Sequence, residues 1–416
     1  MNVIFWVILA AVLVDFVVGI LSTTLNIRKL NSSAPAGLED VYEKDEYRKS
    51  QEYTRTQSRF GLIIGSTKLL ALLIYWFVGG FNFIDQAIRG LGWNEVGTGL
   101  VFIAGLSAIS FVISLPFSLY GTFVIEEKFG FNKTTFKTYV LDTVKGLVLS
   151  ALIGLPLLAG ILYFFEYTGT LAWLYVWGLV IVVSLVMQII APIWIMPIFN
   201  KFTPLEEGEL SQSIIEYAGK VNFTYDNVYV IDGSRRSAHS NAFFTGFGKT
   251  KRIVLFDTLL EQLNREEIVS VIAHEVGHNK MRHILLGMVL SILHTGALLF
   301  LLSLVLENRS LFDAFFMENT SIYASIVFFG LLFTPVELIM SPVLQLISRR
   351  HEYQADNWAV ETTANRQHLI SGLKKLAAKN LANLSPHPMI VILEYSHPPL
   401  PSRIEAINLA ETKRKT

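Results

Sequence analysis

The sequence predicts an all-α integral membrane protein, with seven transmembrane helices around a wet interior and a polar domain, mostly α with a small β-hairpin, on one face. Three observations carry this. Of 416 residues, 52% are hydrophobic and 16% charged, with 29 Phe and a mean hydropathy of +0.46, too apolar for a soluble globule of this size. Seven segments reach the roughly 20 apolar residues that a spanning helix needs. One long polar stretch, about Asn200 to His283, interrupts them.

The spans run from Val3 to Leu21, Gly61 to Phe81, Gly99 to Ile125, Gly146 to Phe165, Trp173 to Trp194, Ile284 to Leu306 and Ile322 to Ile347. The first lacks a basic start and a small-residue cleavage site and carries Asp15, so it reads as a helix, not a signal peptide. Arg28, Lys29, Lys44, Arg48, Lys49, Arg55 and Arg59 follow the first span, and Lys128, Lys133, Lys137 and Lys145 follow the third. The second loop has Arg89 alone and the sixth Arg309 alone. The positive-inside rule then places the odd loops and the C-terminal tail in the cytoplasm, with the N-terminus outside or lumenal. The expected division is residues 1–199 for five spans, 200–283 for a cytoplasmic segment, 284–348 for two further spans, and 349–416 for a tail that meets the cytoplasmic segment.

Asp15, Lys68, His294 and Glu337 lie inside spans, where such groups face a bundle interior or water, snorkel, or pair between helices. Pro116, Pro156, Pro192, Pro335 and Pro342 kink the helices, which fits curved walls around a space. Between Val228 and Asp257, the runs VYVI and RIVLF read as a small hairpin or two-stranded edge. Lys plus Arg and Asp plus Glu both number 34, so no net charge draws the chain to nucleic acid. The absence of Cys excludes disulfides, thiolate metal sites and cysteine nucleophiles.

The chemistry concentrates at His274-Glu-Val-Gly-His278. Asn264 with Glu267 three residues on is a capping-box start, and Ile268, Val271, Ile272 and Val276 continue with helical spacing. Histidines four apart on a helix share one face and can both reach one zinc ion, with Glu275 between them placed to accept a proton from water. A catalytic zinc takes a third protein ligand. Glu352 in SRRHEYQAD is the candidate, with His351 its competitor. Asp356, one turn on, is placed to fix the tautomer of a liganding His.

With those residues in hand, the chain strongly resembles the type I CAAX prenyl proteases, integral membrane zinc endopeptidases with seven spans. Besides HEVGH and EYQAD, the match includes SLYGTFVIEEKFGFNK at Ser118 to Lys133, FNKFTPL at Phe199 to Leu205, and SRRSAHSNAFFTGF at Ser234 to Phe247. KRIVLFDTLL at Lys251 to Leu260 and YSHPPLPSRIEA at Tyr395 to Ala406 extend it. The resemblance implies one zinc per chain on His274, His278 and Glu352, and Glu275 as general base. It also implies Asn241 and His397 in the cleft around the scissile carbonyl, and Arg403 supporting the substrate's terminal carboxylate or the site around it. His239 is open between the site and an ordinary polar role.

The resemblance further implies a large water-filled intramembrane chamber viewed by a catalytic site on its cytoplasmic side. The reaction implied is removal of the last three residues of a prenylated CAAX protein or peptide, by a chain acting as a monomer in the bilayer. The alternatives are a quality-control protease cutting unprenylated membrane-associated peptides, and a transporter or channel with a structural metal. The membrane would be the endoplasmic reticulum in a eukaryote and the inner or plasma membrane in a prokaryote. Lys413-Arg414 reads as a solvated basic tail or a dibasic retrieval signal. Compared with eukaryotic members, the connection from Leu260 to Glu266 is short and the tail after Ala406 brief.

Overall fold

The structure is a computed structural model that describes residues 1–31, 33–35, 37–246, 251–363 and 365–415, without the side chains of 411–415, where Lys413 and Arg414 fall. Five membrane-spanning helices come first: α1 (Val3–Lys29), α2 (Lys44–Phe77), then, after a short α3 (Gly80–Arg89), α4 (Glu95–Tyr120), α5 (Phe136–Tyr167) and α6 (Ala172–Ile190). α2 stops four residues before the expected end of its span. Gly79, at φ 73°, turns the chain there into α3. α4 and α6 each run into a π turn, Gly121–Glu126 and Ala191–Ile195, and the second contains Pro192, which has no N–H to continue the ladder.

The polar segment supplies α7 (Glu209–Lys220) and α8 (Arg265–Lys280). The chain then re-enters the membrane as α9 (His283–Ser303) and, past α10 (Arg309–Ala314), as the pair α11 (Ile322–Leu332) and α12 (Thr334–Thr362). This pair is the seventh span, bent by 58° at Phe333 with Pro335 in the first turn of α12. α13 (Arg366–Lys379), α14 (Pro388–Glu394) and α15 (Leu400–Lys415) complete the chain.

Two apolar clusters tie the helices at opposite ends. At one, Phe5, Trp76, Phe81, Phe102, Phe315 and Phe328 pack together, and the buried Asp85 is held by Arg89 (3.0 Å) and Tyr323. At the other, the first loop packs on the end of α4 and on α13 through Tyr42, Tyr47, Phe129 and Leu381, and the Tyr42 hydroxyl donates to the Ala377 carbonyl (2.7 Å). Between these ends only 6% of the most apolar stretch of α2, α4, α5, α6 or α9 is buried. Between α9 and α12, His278, Leu290, His294, Leu344 and His351 line a cavity of about 420 Å³. His294 of α9 pairs with Glu337 of α12 at 3.1 Å, while Asp15 and Lys68 are exposed.

The loops after the first and third spans, the 200–283 segment and the tail all meet at one end. Arg236 donates to Asp142 at the base of α5 (2.8 and 3.1 Å) and to Asn200 (2.9 Å). The Lys133 N–H reaches the Arg236 carbonyl, and His239 stacks on Phe131 at 4.0 Å.

The sheet differs from expectation. Among the described residues it has four strands, β1 (Phe202–Pro204), β2 (Asn227–Ile231), β3 (Ala242–Thr245) and β4 (Arg252–Phe256), in the order β1-β2-β4-β3. VYVI in β2 and RIVLF in β4 lie parallel, so they do not form the hairpin; the antiparallel partner of β4 is β3 and that of β2 is β1. The physical reason was readable in β4, whose Ile253, Val254 and Leu255 are all buried, the mark of a central strand covered on both faces.

Candidate functional site

α8 begins with the capping box in full: the Asn264 side chain accepts from the Glu267 N–H, and the Glu267 carboxylate accepts from the Asn264 N–H. Its apolar face enters the core of the polar domain through Ile268, Val271, Ile272 and Val276, against α7, β4 and α13. The opposite face meets α12 at very close range. A Cβ on Gly277 would stand 3.0 Å from the Trp358 Cβ and 3.1 Å from the Ala355 Cα. The glycine of HEVGH is therefore what lets α12 approach until Glu352 meets the histidines.

Three side chains converge there. His274 Nε2 and His278 Nε2 are 3.2 Å apart, Glu352 Oε1 is 3.2 Å from His278 Nε2, and Glu352 Oε2 is 3.4 Å from His274 Nε2. Ligand atoms of a tetrahedral zinc at bond lengths of about 2.0–2.2 Å stand about 3.3–3.6 Å from one another, and the cluster matches that spacing.

Proton accounting makes the fit stronger. His274 Nδ1 lies 2.9 Å from Asp356 Oδ1, so its ring proton sits there and Nε2 presents a lone pair. His278 Nδ1 faces His283 Nδ1 at 3.1 Å, and His283 Nε2 faces Gln354 Oε1 at 2.9 Å. An amide oxygen only accepts, so His283 Nε2 carries the proton, its Nδ1 accepts from His278, and His278 Nε2 is left as a second lone pair. Two lone pairs and a buried carboxylate oxygen without a hydrogen bond, Glu352 Oε2, thus face one point, and a cation satisfies all three. Where a proton takes the place of the cation, burial alone would pull the His274 imidazolium down, but the ring's hydrogen bonds to the Asp356 and Glu352 carboxylates outweigh that and raise it to about 9. The pocket draws in positive charge.

Comparison with known proteins agrees. Residues 23–201 match the family model described as CAAX prenyl protease N-terminal, five membrane helices, and residues 204–411 match that of peptidase family M48. The chain belongs to peptidase family M48. A CAAX prenyl protease 1 homolog of Oryza sativa subsp. japonica is 37% identical over 95% of this chain and 96% of its own. CAAX prenyl protease 1 of Saccharomyces cerevisiae is 37% identical over 92% and 90%. The crystal structure of S. mikatae Ste24p superposes with a TM-score of 0.93 at 35% identity, covering 98% of this chain and 100% of that one. M48 peptidases are zinc metalloproteases, and His274, His278 and Glu352 have the donor set and spacing for that ion. The protein is a multi-pass membrane metalloprotease.

Around the cluster of this M48 peptidase, Glu275 is half-buried, and burial pushes its carboxyl up from the ordinary range against the pull of His274 and His278. Arg403 is engaged on all sides: Nε and Nη2 donate to Asp356 (2.8 and 2.6 Å), and Nη1 lies 3.7 Å from Glu352. His397 Nε2 lies 3.4 Å from Glu352 Oε1 and its Nδ1 2.8 Å from the Ser396 hydroxyl. Asn241 is exposed at the start of edge strand β3, which packs on α8, and its Oδ1 takes the Ala242 N–H. His239 does not join the cluster; it faces Asn380 (3.1 Å) and Glu126 (3.5 Å). His351 stacks on His283 at 4.0 Å and is not among the three converging residues.

Sequence reasoning missed His283 and Gln354. A histidine five residues past a helical ligand is off that helix's face by simple spacing. Arg282, at φ 61°, reverses the chain and returns the ring beneath His278. Gln354 was legible only as the residue between Glu352 and Asp356.

Proposed function

We propose that this protein is a zinc endopeptidase acting on prenylated CAAX substrates, with His274, His278 and Glu352 as ligands and Glu275 as general base. The observation that supports it is the convergence of two imidazole lone pairs and a carboxylate beside Glu275, with His278 on the wall of the cavity between α9 and α12. Zinc held there supplies Lewis acidity, polarising the scissile carbonyl and lowering the pKa of water at the site toward 7.

The chain's own residues do the rest. Glu275 takes the proton of the attacking water and delivers it to the departing amine. With Ser396 donating to Nδ1, His397 carries its proton on Nε2 and offers it to the developing oxyanion. Asn241, its oxygen already used, offers its amide NH2 to the substrate backbone at the edge of the sheet. Arg403 keeps Asp356 ionised and in place, so that His274 keeps its Nε2 free. Every ligand comes from one chain, so a monomer holds a complete site. The basic first and third loops support a cytoplasmic placement of the polar domain.

The substrate class comes from relatives named CAAX prenyl protease 1 and from the largely apolar cavity of about 420 Å³ that opens beside His278 between α9 and α12, which suits a lipidated chain. Its test is one peptide with and without its farnesyl group. The farnesylated form should be cut at least about tenfold faster, in keeping with what apolar pockets discriminate. Equal rates would transfer the assignment to a quality-control protease for unprenylated membrane peptides.

His283 is assigned as a positioning residue for His278. His283→Ala removes the acceptor on His278 Nδ1 and frees the ring to turn. Zinc affinity, measured by competition with a metallochromic chelator, should fall about 10- to 100-fold. An unchanged affinity would remove His283 from the site.

A further inference from the structure

Behind the helix that carries Glu352, a cavity of about 830 Å³ opens between the end of α1, α12 and α14. Lys29 is the last residue of α1, and Arg349 and Arg350 directly follow the apolar run of the seventh span, so the cavity lies at the level where the spans leave the hydrocarbon. Among the described residues no acidic side chain lines it. Arg349 is buried, with its Nη1 donating to the carbonyls of Val391 (2.8 Å) and Tyr395 (2.7 Å), and Lys29 donates to the Pro386 carbonyl (3.1 Å). These bonds fix the cations without neutralising them. Arg350 is exposed and, among the described residues, has neither an ion pair nor a hydrogen bond. Beside the charges, Leu346 and Ile392 are 62% and 52% exposed.

We propose that this cavity binds one anionic glycerophospholipid, its phosphate taken by Lys29 and Arg350 and an acyl chain laid along Leu346 and Ile392. Uncompensated cations at the headgroup level call for an anion, and a guanidinium pairs with phosphate oxygens through parallel N–H donors. The adjoining aliphatic surface calls for a chain, which a free phosphate lacks. The charge complementarity selects an anionic over a zwitterionic headgroup.

The cavity wall also includes Pro398 and Pro399, which directly follow His397, and Arg349 holds the carbonyl of Tyr395 two residues before it. A lipid seated there braces the loop that carries His397. That coupling to turnover rests on the role proposed for His397, whereas binding does not.

The test uses the full chain in nanodiscs of phosphatidylcholine with or without phosphatidylglycerol, and the variant Lys29→Gln/Arg350→Gln. Native mass spectrometry should find one phosphatidylglycerol retained on the wild type in preference to phosphatidylcholine, with that preference lowered about tenfold or more in the variant. Peptide hydrolysis in pure phosphatidylcholine should be equal for the two proteins, which shows that the variant folds, and phosphatidylglycerol should raise kcat of the wild type alone. Retention of phosphatidylglycerol without preference, or equally by both proteins, would overturn the proposal. Displacement of the lipid by a farnesylated peptide would also overturn it, since the cavity would then belong to the substrate's path. Selective retention without a change in kcat would uphold the binding site and remove its link to His397.

Discussion

Glu275→Gln should bind zinc as the wild type does and lose about 10²- to 10⁴-fold in kcat, the range that a general base contributes. The three converging atoms belong to His274, His278 and Glu352, and none is altered. Glutamine has nearly the volume of glutamate, so the half-buried position is filled without overpacking, but its amide does not accept a proton from water. The readouts are zinc per chain by elemental analysis and hydrolysis of a farnesylated CAAX peptide. Full hydrolysis by the variant would take the general-base role away from Glu275 and leave another group to accept the proton of water. Loss of zinc in the variant would place Glu275 among the ligands.

The spans were legible because the hydrocarbon core demands long apolar runs, and the α8 helix because its capping box and its histidine spacing are local patterns. What escaped was set by long-range approach. The run SLYGTFVIEEKFGFNK carries no chemistry of its own; in the fold, Glu126, Phe131 and Lys133 from its end lock onto Arg236, Ala238 and His239 of SRRSAHSNAFFTGF. Two segments about a hundred residues apart thus join the polar domain to the spans, a pairing that no periodicity announces. The strand pair failed in the same way. VYVI and RIVLF looked like a hairpin because they are near in sequence, whereas β3 lies between them in the chain and takes the antiparallel place on β4. Gly277 is the sharpest case. In the motif it is one of two unspecified positions, and in the fold it is the gap through which α12 delivers Glu352.

That delivery makes α12 the place where two carboxylates one turn apart should behave differently. Glu352→Ala removes a converging atom and leaves two imidazoles on an open face, so zinc should fall from one per chain toward none, and peptide hydrolysis should become undetectable. The polar domain should remain folded. Its core is built from α7, α8, the sheet, α13 and α15, and Arg403 still has Asp356 as its counter-charge. Asp356→Asn leaves all three converging atoms in place but takes the negative charge from between His274 and Arg403. Zinc should stay bound with about 10- to 100-fold lower affinity. The melting temperature in detergent should fall further than for Glu352→Ala, because a guanidinium buried without its carboxylate costs about 3–5 kcal/mol. The pair of measurements, zinc affinity and melting temperature, therefore separates a ligand from the group that orients one. If Glu352→Ala still held one zinc per chain, the third ligand would lie elsewhere, and His397, 3.4 Å from Glu352, would be the first to replace.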